Sequence, residues 1–134
     1  MPLCKIIQIP RISDPRGNLS FIEAGNHIPF NIERSFCIFG VPGGESRGGH
    51  AYKTQSELIV PLSGSFCVRV AQQQSQGFIK FHLFKPYEGL LIPPMVWRIM
   101  EDFSTNSLSL HLCDKEFDHT DYIYNLEDLE EYGR

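Results

Sequence analysis

Two residues near the middle of the chain carry side chains suited to proton transfer. His50 and Tyr52 lie two positions apart, and residues at i and i+2 of a β-strand point to the same face, so both are expected to enter one cavity. An imidazole, with an ordinary pKa of about 6.5, can act as a base near neutral pH, whereas a phenol, near pKa ~10, is better suited to donate a proton. The pair therefore predicts His50 as base and Tyr52 as acid. The alternative is an interior pair in which the histidine bonds a backbone carbonyl and the tyrosine fills volume.

The elements that must position this pair are short β-strands. About nine or ten short apolar runs recur at regular intervals with Gly and Pro turns between them, which is typical of an antiparallel sandwich or barrel. In the run at 57–62, Pro61 lacks a ladder donor and predicts an edge or a bulge. Runs at 5–9 and 19–22 flank a Pro and Gly turn and predict a hairpin-like opening.

Only the end of the chain has a helical period. Apolar residues recur at three-to-four spacing among acidic ones in 120–132, with Thr120 or Asp118 as a candidate N-cap. The remainder is expected to form a barrel at about 5–113, and the tail with its helix occupies about 114–134.

Length and composition indicate one domain spanning 1–134. The 134 residues are 42% hydrophobic and 21% charged, an ordinary globular balance. A net charge of -4 without any Lys/Arg run argues against a surface that binds nucleic acid. The start lacks the basic and apolar regions of a signal peptide, and no apolar run approaches membrane-spanning length. We therefore expect a soluble cytoplasmic protein with no nucleic-acid or membrane partner.

The four cysteines form no CxxC pair, and three lie inside apolar runs. We interpret Cys4, Cys37, Cys67 and Cys113 as buried thiols rather than disulfides or metal ligands.

The spacing around the pair resembles a known family motif. His50, Tyr52, Glu57 and Gly64 follow H-x-Y-x4-E-x6-G, which is similar to the first motif of the cupin barrels, H-x-H-x3-4-E-x6-G, with tyrosine at the second histidine. Longer phrases resemble the dTDP-sugar 3,4-ketoisomerases, the small cupins that move the keto group of dTDP-4-keto-6-deoxyglucose from C4 to C3. These phrases are DPRGNL at 14–19, NHIPF at 26–30, RGGHA at 47–51, LSG at 62–64, IPPMVWR at 92–98 and DYI at 121–123.

The resemblance implies an all-β fold, a cupin jelly-roll barrel of short antiparallel strands. It also implies a homodimer that exchanges N-terminal strands, and a dTDP-sugar ligand in the barrel mouth. The family transfers protons without a metal, through an enediol-type intermediate, using two histidines. Here these positions are His50 and Tyr52. The implied role is deoxysugar synthesis for surface polysaccharide.

The chain departs from the family where chemistry would occur. Besides Tyr52, two positions that are often tyrosine hold Phe36 and Cys37, an acidic position holds Ile99, and the arginine that commonly follows the DYI phrase is Tyr124.

Binding roles are expected for six further residues. Arg16 and Arg47, each followed by Gly, are candidates for the diphosphate because a guanidinium offers a bidentate fork to phosphate oxygens. Trp97 and Tyr87 could stack on a thymine base or simply pack in the rim of the barrel. Glu57 is expected to orient His50 or Tyr52 by a hydrogen bond. Arg98, in the second motif, completes the set of six that are expected to bind substrate.

A metal cofactor, common in cupins, is not expected. Tyr52 and Arg98 stand at two of the four usual ligand positions, which leaves His50 and Glu57, and a cation beside a metal is unfavourable. The remaining histidines of the strands and tail, His82, His111 and His119, lack ligand spacing and receive no role.

Three functions remain open from the sequence. The first is a sugar-nucleotide 3,4-ketoisomerase. The second is a non-catalytic cupin that binds a nucleotide sugar or partners an active paralogue. The third is a metal-dependent cupin oxygenase or isomerase.

Overall fold

The fold is built from short antiparallel strands in two facing sheets. The computed structural model describes residues 4–72 and 77–132, and these contain twelve strands and one α-helix. The strands are β1 (Lys5–Gln8), β2 (Arg11–Asp14), β3 (Gly17–Ser20), β4 (Arg34–Phe39), β5 (Arg47–Tyr52), β6 (Glu57–Ser63), β7 (Phe66–Ala71), β8 (Ile79–Leu83), β9 (Glu88–Ile92), β10 (Trp97–Glu101), β11 (Leu108–Cys113) and β12 (Tyr122–Ile123). The helix is α1 (Leu126–Tyr132).

One sheet has the order β1-β9-β6-β11-β4, the other has the order β12-β5-β10-β7-β8, and β2-β3 form a separate hairpin. Apolar side chains from both sheets meet between them, including Ile59 and Leu90 from one and Phe66 and Val68 from the other. The strict alternation of Phe66, Val68 and Val70 places all three in this core, as expected for a strand of period two. The predicted all-β jelly roll is confirmed.

The outer faces of the two sheets are also covered. The segment at 21–30 packs Ile28 and its neighbours on the sheet that contains β6. On the other sheet, Leu129 of α1 packs with Trp97, Ala51 and Ile123. Helix α1 therefore protects the back of the strand that carries His50 and Tyr52. No helix in residues 4–72 and 77–132 is long and apolar enough to cross a membrane.

Strand β5 bends where two glycines precede His50. Arg98 pairs with His50 and Ile99 with Gly48, so Gly49 is the extra residue of a β-bulge. Both glycines have positive φ, +100° and +66°, which L side chains rarely adopt. Beyond the bulge the alternation resumes, with Ala51 facing the helix and with His50 and Tyr52 facing the interior. The prediction that the pair shares one face is confirmed.

Several local predictions need correction. The opening hairpin is β2 with β3, whereas β1 pairs with β9. The tail forms a 3-10 turn at His119–Asp121 capped by Asp118, then β12, and the α-helix begins only at Leu126 because residues 122–123 pair with β5. Twelve strands replace the nine or ten expected, since several are only two to four residues long.

Two further local predictions have mixed outcomes. Pro61 lies beside a bulge and beyond the part of β6 that pairs with β9, as its missing donor predicts. All four cysteines are free thiols, but Cys37 is exposed and Cys4 only half-buried. Residue Cys37 alternates outward at the edge strand β4, which is why its apolar neighbours misled the prediction.

The turn between β6 and β7 yields a stability prediction. Gly64 has a φ of +67°, and a Cβ there would lie 2.9 Å from the Ser107 Cα. We expect Gly64→Ala to lower the free energy of unfolding by about 2 kcal/mol or more, from backbone strain and overpacking. Gly43→Ala is the control because a Cβ at Gly43 meets no atom within 4 Å; it should change stability by less than about 0.5 kcal/mol. Urea unfolding of both variants measures this, and equal midpoints would contradict it.

Candidate active site

A cavity of about 290 Å³ lies between the sheets, beside β4 and β5. Its walls include His50 and Tyr52 from β5, Arg98 from β10, His111 from β11 and Tyr122 from β12. Residues from six strands meet here because the jelly roll brings β4, β6 and β11 opposite β5, β10 and β12.

His50 presents an unoccupied acceptor in this cavity. Its Nε2 is buried and has no hydrogen-bond partner among the described residues, while its ring hydrogen-bonds the Gly48 backbone. Burial and the nearby Arg98 charge lower the pKa of His50 to about 4. The imidazole is therefore neutral at physiological pH, and a backbone bond at one nitrogen leaves the other free to take a proton.

Two tyrosines and an arginine form a hydroxyl cluster next to His50. The Tyr52 Oη lies 3.4 Å from the Tyr122 Oη and 3.4 Å from Arg34 Nη2. The rings of His50, Tyr52 and Tyr122 surround one another, with centroids 4.8 to 5.0 Å apart. Burial, followed by the Glu57 charge, raises the pKa of Tyr52. Tyr52 is therefore a neutral phenol at physiological pH.

Glu57 is buried between two cationic or polar partners. One carboxylate oxygen accepts from Arg98 Nη1, and the other lies 2.9 Å from His111 Nδ1. His111 Nε2 lies 2.8 Å from Ser109 Oγ, and its ring stacks on Phe36 at 4.3 Å. Burial alone would raise the pKa of Glu57, but His111 and Arg98 lower it to about 2, so the carboxylate is ionised.

The chain is similar to known proteins over nearly its whole length. A family model described as FdtA: WxcM-like, C-terminal, matches residues 3–134. The TDP-4-oxo-6-deoxy-alpha-D-glucose-3,4-oxoisomerase of Aneurinibacillus thermoaerophilus is 37% identical over 128 residues, which cover 96% of this chain and 91% of the relative.

The chain belongs to the dTDP-sugar 3,4-ketoisomerase family.

Solved structures of this family have the same fold. One is the QdtA 3,4-ketoisomerase from Thermoanaerobacterium thermosaccharolyticum, solved as a double mutant in complex with TDP. It superposes with a TM-score of 0.93 at 32% identity, and the superposition covers 98% of this chain and 95% of the QdtA chain. The WlaRB TDP-quinovose 3,4-ketoisomerase from Campylobacter jejuni has a TM-score of 0.89 at 31% identity, with 96% and 97% covered.

The prediction that Glu57 hydrogen-bonds His50 or Tyr52 was wrong. One carboxylate oxygen of Glu57 contacts Arg98 and the other contacts His111, and neither hydrogen-bonds His50 or Tyr52 among the described residues. Arg98 also donates to the Val96 carbonyl and lies 4.8 Å above the Tyr52 ring. In this family member the second-motif cation therefore fixes the glutamate, and its charge acts on the histidine.

These residues do not fit a cupin metal. Both oxygens of the Glu57 carboxylate are already bound, one by Arg98 and the other by His111. The Arg98 guanidinium also lies at a position where a metal would need a ligand. Within 4–72 and 77–132, no group of three or more His, Cys, Asp or Glu side chains is placed to hold an ion.

The aromatic base-stacking candidates lie elsewhere. Trp97 is buried on the outer face of its sheet, where it packs with Ala51 and Leu129 because it alternates with the inward Arg98. Tyr87 lies in the turn before β9 and stacks under Arg11 at 4.1 Å. Neither ring lines the cavity, and stacking of Trp97 or Tyr87 on a base stays a prediction.

The two candidate phosphate arginines have different positions. Arg47 is exposed at the rim of the cavity and lines it. Arg16 is at the tip of the β2-β3 hairpin, with its side chain 90% exposed and paired with Asp14. The structure thus brings Arg47 to the site and leaves Arg16 outside the cavity of its own chain.

Three residues of the site were missed from the sequence. His111 was assigned no role although it holds Glu57, and Arg34 and Tyr122 were not among the candidates. His111 does alternate with Ser109 and Cys113 on the buried face of β11, which is a period-two signal. Tyr122 falls in the DYI phrase.

The buried carboxylate yields a second stability prediction. Glu57→Gln leaves the Arg98 charge unpaired in the core and is expected to lower the free energy of unfolding by about 3–5 kcal/mol. Glu101→Gln is the control, since its pair with Arg69 is partly exposed and should contribute under about 1 kcal/mol. Adding Arg98→Met to Glu57→Gln should restore part of the loss. Chemical unfolding of the three variants tests this, and a small effect of Glu57→Gln alone would contradict it.

Proposed function

We propose that this chain is a 3,4-ketoisomerase that acts on a dTDP-4-keto-6-deoxyhexose without a metal. The observation that carries the proposal is the free Nε2 of a neutral His50 beside the Tyr52 hydroxyl in one cavity. Family relatives that are 3,4-ketoisomerases support it over a purely binding role. In the same proposal, residues 1–134 form one domain that works in the cytoplasm, in deoxysugar synthesis for surface polysaccharide.

The base in this reaction is His50. Moving the keto group from C4 to C3 requires removal of the C3 proton and its replacement at C4. A neutral imidazole whose other nitrogen bonds the backbone can take that proton on Nε2. The imidazolium so formed then protonates C4.

The acid side of the reaction includes Tyr52. As the C3 proton leaves, negative charge develops on the C4 oxygen, and the hydroxyl cluster that contains the protonated Tyr52 can give it a proton to form the enediol. Arg34 beside the Tyr52 hydroxyl offsets the charge left behind. The substitution of tyrosine for the family histidine thus replaces one of two bases by a donor.

The nucleotide is held at the rim. Arg47 is exposed next to the cavity, where a guanidinium can bind the diphosphate through paired hydrogen bonds. Arg98 lies deeper, against Tyr52 and Glu57, where it is placed to set the charge near the sugar.

The N-terminal hairpin supports a homodimer with exchanged strands. All eight residues of β2 and β3 are exposed, and the hairpin forms a sheet of its own. Ile12 and Leu19, each 56% exposed, offer apolar surface that a second copy would cover. Such an exchange would carry Arg16 at the hairpin tip to the partner.

The activity is tested with dTDP-4-keto-6-deoxyglucose in heavy water, followed by proton NMR. We expect deuterium exchange at C3, a 3-keto product, and loss of turnover in His50→Asn. Because the base must be neutral and its pKa is lowered to about 4, kcat/KM should stay high down to about pH 5 and fall as the pH drops through about 4. An ordinary imidazole would lose activity near pH ~6.5.

His82→Asn is the matched control because His82 is exposed on β8, and it should retain full activity. A wild-type protein with no exchange and no new keto sugar, together with turnover restored by Tyr52→His, would show that the present chain is not an active isomerase.

The dimer is tested by sedimentation. The wild-type protein should sediment at twice the chain mass, and Ile12→Glu should shift it toward the monomer by placing a charge in the apolar contact. Ile79→Glu is the control, since Ile79 is equally exposed, at 55%, on the edge strand β8. A monomeric wild type, or equal dissociation of both variants, would contradict the exchanged hairpin.

A further inference from the structure

The hydrogen-bond directions in the hydroxyl cluster distinguish its two tyrosines. A guanidinium can only donate, so the Tyr52 oxygen accepts from Arg34 at 3.4 Å. The Tyr52 hydroxyl then donates to the Tyr122 oxygen, also at 3.4 Å. The contact between the two hydroxyls is therefore directed toward the Tyr122 oxygen.

This arrangement leaves one O–H without an acceptor. Among the described residues the Tyr122 hydroxyl has no hydrogen-bond partner other than Tyr52, and its ring lines the cavity next to His50. Tyr52 is 1% exposed and is already engaged on both sides of its oxygen, whereas Tyr122 is only half-buried. The proton available to a ligand is thus the one on Tyr122.

We propose that Tyr122 is a further catalytic residue, the one that donates its proton to the substrate oxygen, and that Tyr52 and Arg34 act through it. This inference rests on the proposed ketoisomerase function and assigns its acid contact to the end of the chain Arg34, Tyr52, Tyr122. Tyr52 is then a positioning residue, which transfers its own proton to Tyr122 after Tyr122 has donated.

The proton balance of the reaction closes on these groups. In the first half, the C3–H bond breaks, its proton goes to His50 Nε2, and Tyr122 gives its proton to the C4 oxygen, so a neutral enediol forms. Tyr52 passes its proton to Tyr122, and the negative charge rests on the phenol pair beside Arg34. In the second half, the C3 hydroxyl returns its proton to the pair, and the imidazolium protonates C4. The products are the 3-keto sugar and the original enzyme.

The chain of donors explains the position of Arg34. During the enediol stage the pair carries one negative charge, and a buried phenolate without a counter-charge would be costly. Arg34 is half-buried on β4, and Phe36 and Phe117 cover its guanidinium at 5.1 and 5.6 Å. It is therefore placed to meet that charge in both halves of the reaction.

The test compares Tyr122→Phe and Tyr52→Phe, each of which removes one hydroxyl. We expect Tyr122→Phe to lower kcat by about 100-fold or more, as loss of a general acid does, and Tyr52→Phe to lower it by about tenfold. A two-proton relay should give the wild type a curved dependence of rate on the deuterium fraction, and Tyr52→Phe a linear one. Tyr132→Phe, on the exposed end of α1, is the control and should match the wild type.

A binding measurement keeps this test independent of turnover. Calorimetry with dTDP and with dTDP-6-deoxyglucose, whose sugar cannot isomerise, measures the contact with the C4 oxygen. We expect Tyr122→Phe to lose about fivefold in affinity for the sugar nucleotide with dTDP unchanged, as for one lost hydrogen bond, and Tyr52→Phe to stay within about twofold.

Each outcome decides between the two proposals. If the wild type turns nothing over but Tyr122→Phe shows the selective loss of affinity, the contact stands and the isomerase function fails. If the wild type is active and Tyr122→Phe keeps kcat and affinity within about threefold, or if Tyr52→Phe is the more damaged variant, Tyr122 is not the donor and this inference is overturned.

Discussion

The site depends on one buried ion pair, the Glu57 carboxylate held by Arg98 and His111. Glu57 and His111 come from neighbouring strands of one sheet, and Arg98 comes from the facing sheet, so the pair joins the two layers of the barrel. An ionised carboxylate in a core is costly unless its lone pairs are satisfied, and here each oxygen has its own partner. His111 is held in position because its ring stacks on Phe36 and its Nε2 lies within hydrogen-bond distance of Ser109 Oγ.

Burial is the main cause of the lowered pKa of His50, and the ion pair acts on it in both directions, since Arg98 lowers this pKa and Glu57 raises it. Arg98 takes the place in the second motif where cupins commonly supply a metal ligand, and its charge adds to burial in lowering the pKa of His50. A fixed guanidinium brings positive charge without an open coordination site, so it cannot bind and polarise a carbonyl as a metal would. In the proposed function, chemistry at this site relies on proton transfer among side chains, with the free Nε2 of His50 as the base.

The sequence predicted well what depends on local period and composition. The shared face of His50 and Tyr52 follows from their spacing, and the bulge beside Pro61 agrees with the missing N–H of that residue. Contacts between distant strands were not predictable. His111 and Glu57 are 54 residues apart, and Tyr52 and Tyr122 are 70 apart. Their meeting depends on β11 pairing with β6 and β12 with β5, and a period-two pattern does not state which strands pair.

Trp97 and Tyr52 show how a one-residue alternation separates structure from function. Trp97 was a ligand candidate by residue type, but it alternates with Arg98 and therefore faces the helix. Tyr52, whose spacing from His50 resembles that of the second histidine in the cupin motif, faces inward and meets Tyr122 and Arg34. A phenol is less suited than an imidazole to act as a base near neutral pH, and the Tyr52 hydroxyl lies 3.4 Å from both Tyr122 Oη and Arg34 Nη2. In the proposed function the site therefore has one base, His50, opposed by a tyrosine donor, and Arg34 beside the Tyr52 hydroxyl offsets the charge that the donor leaves.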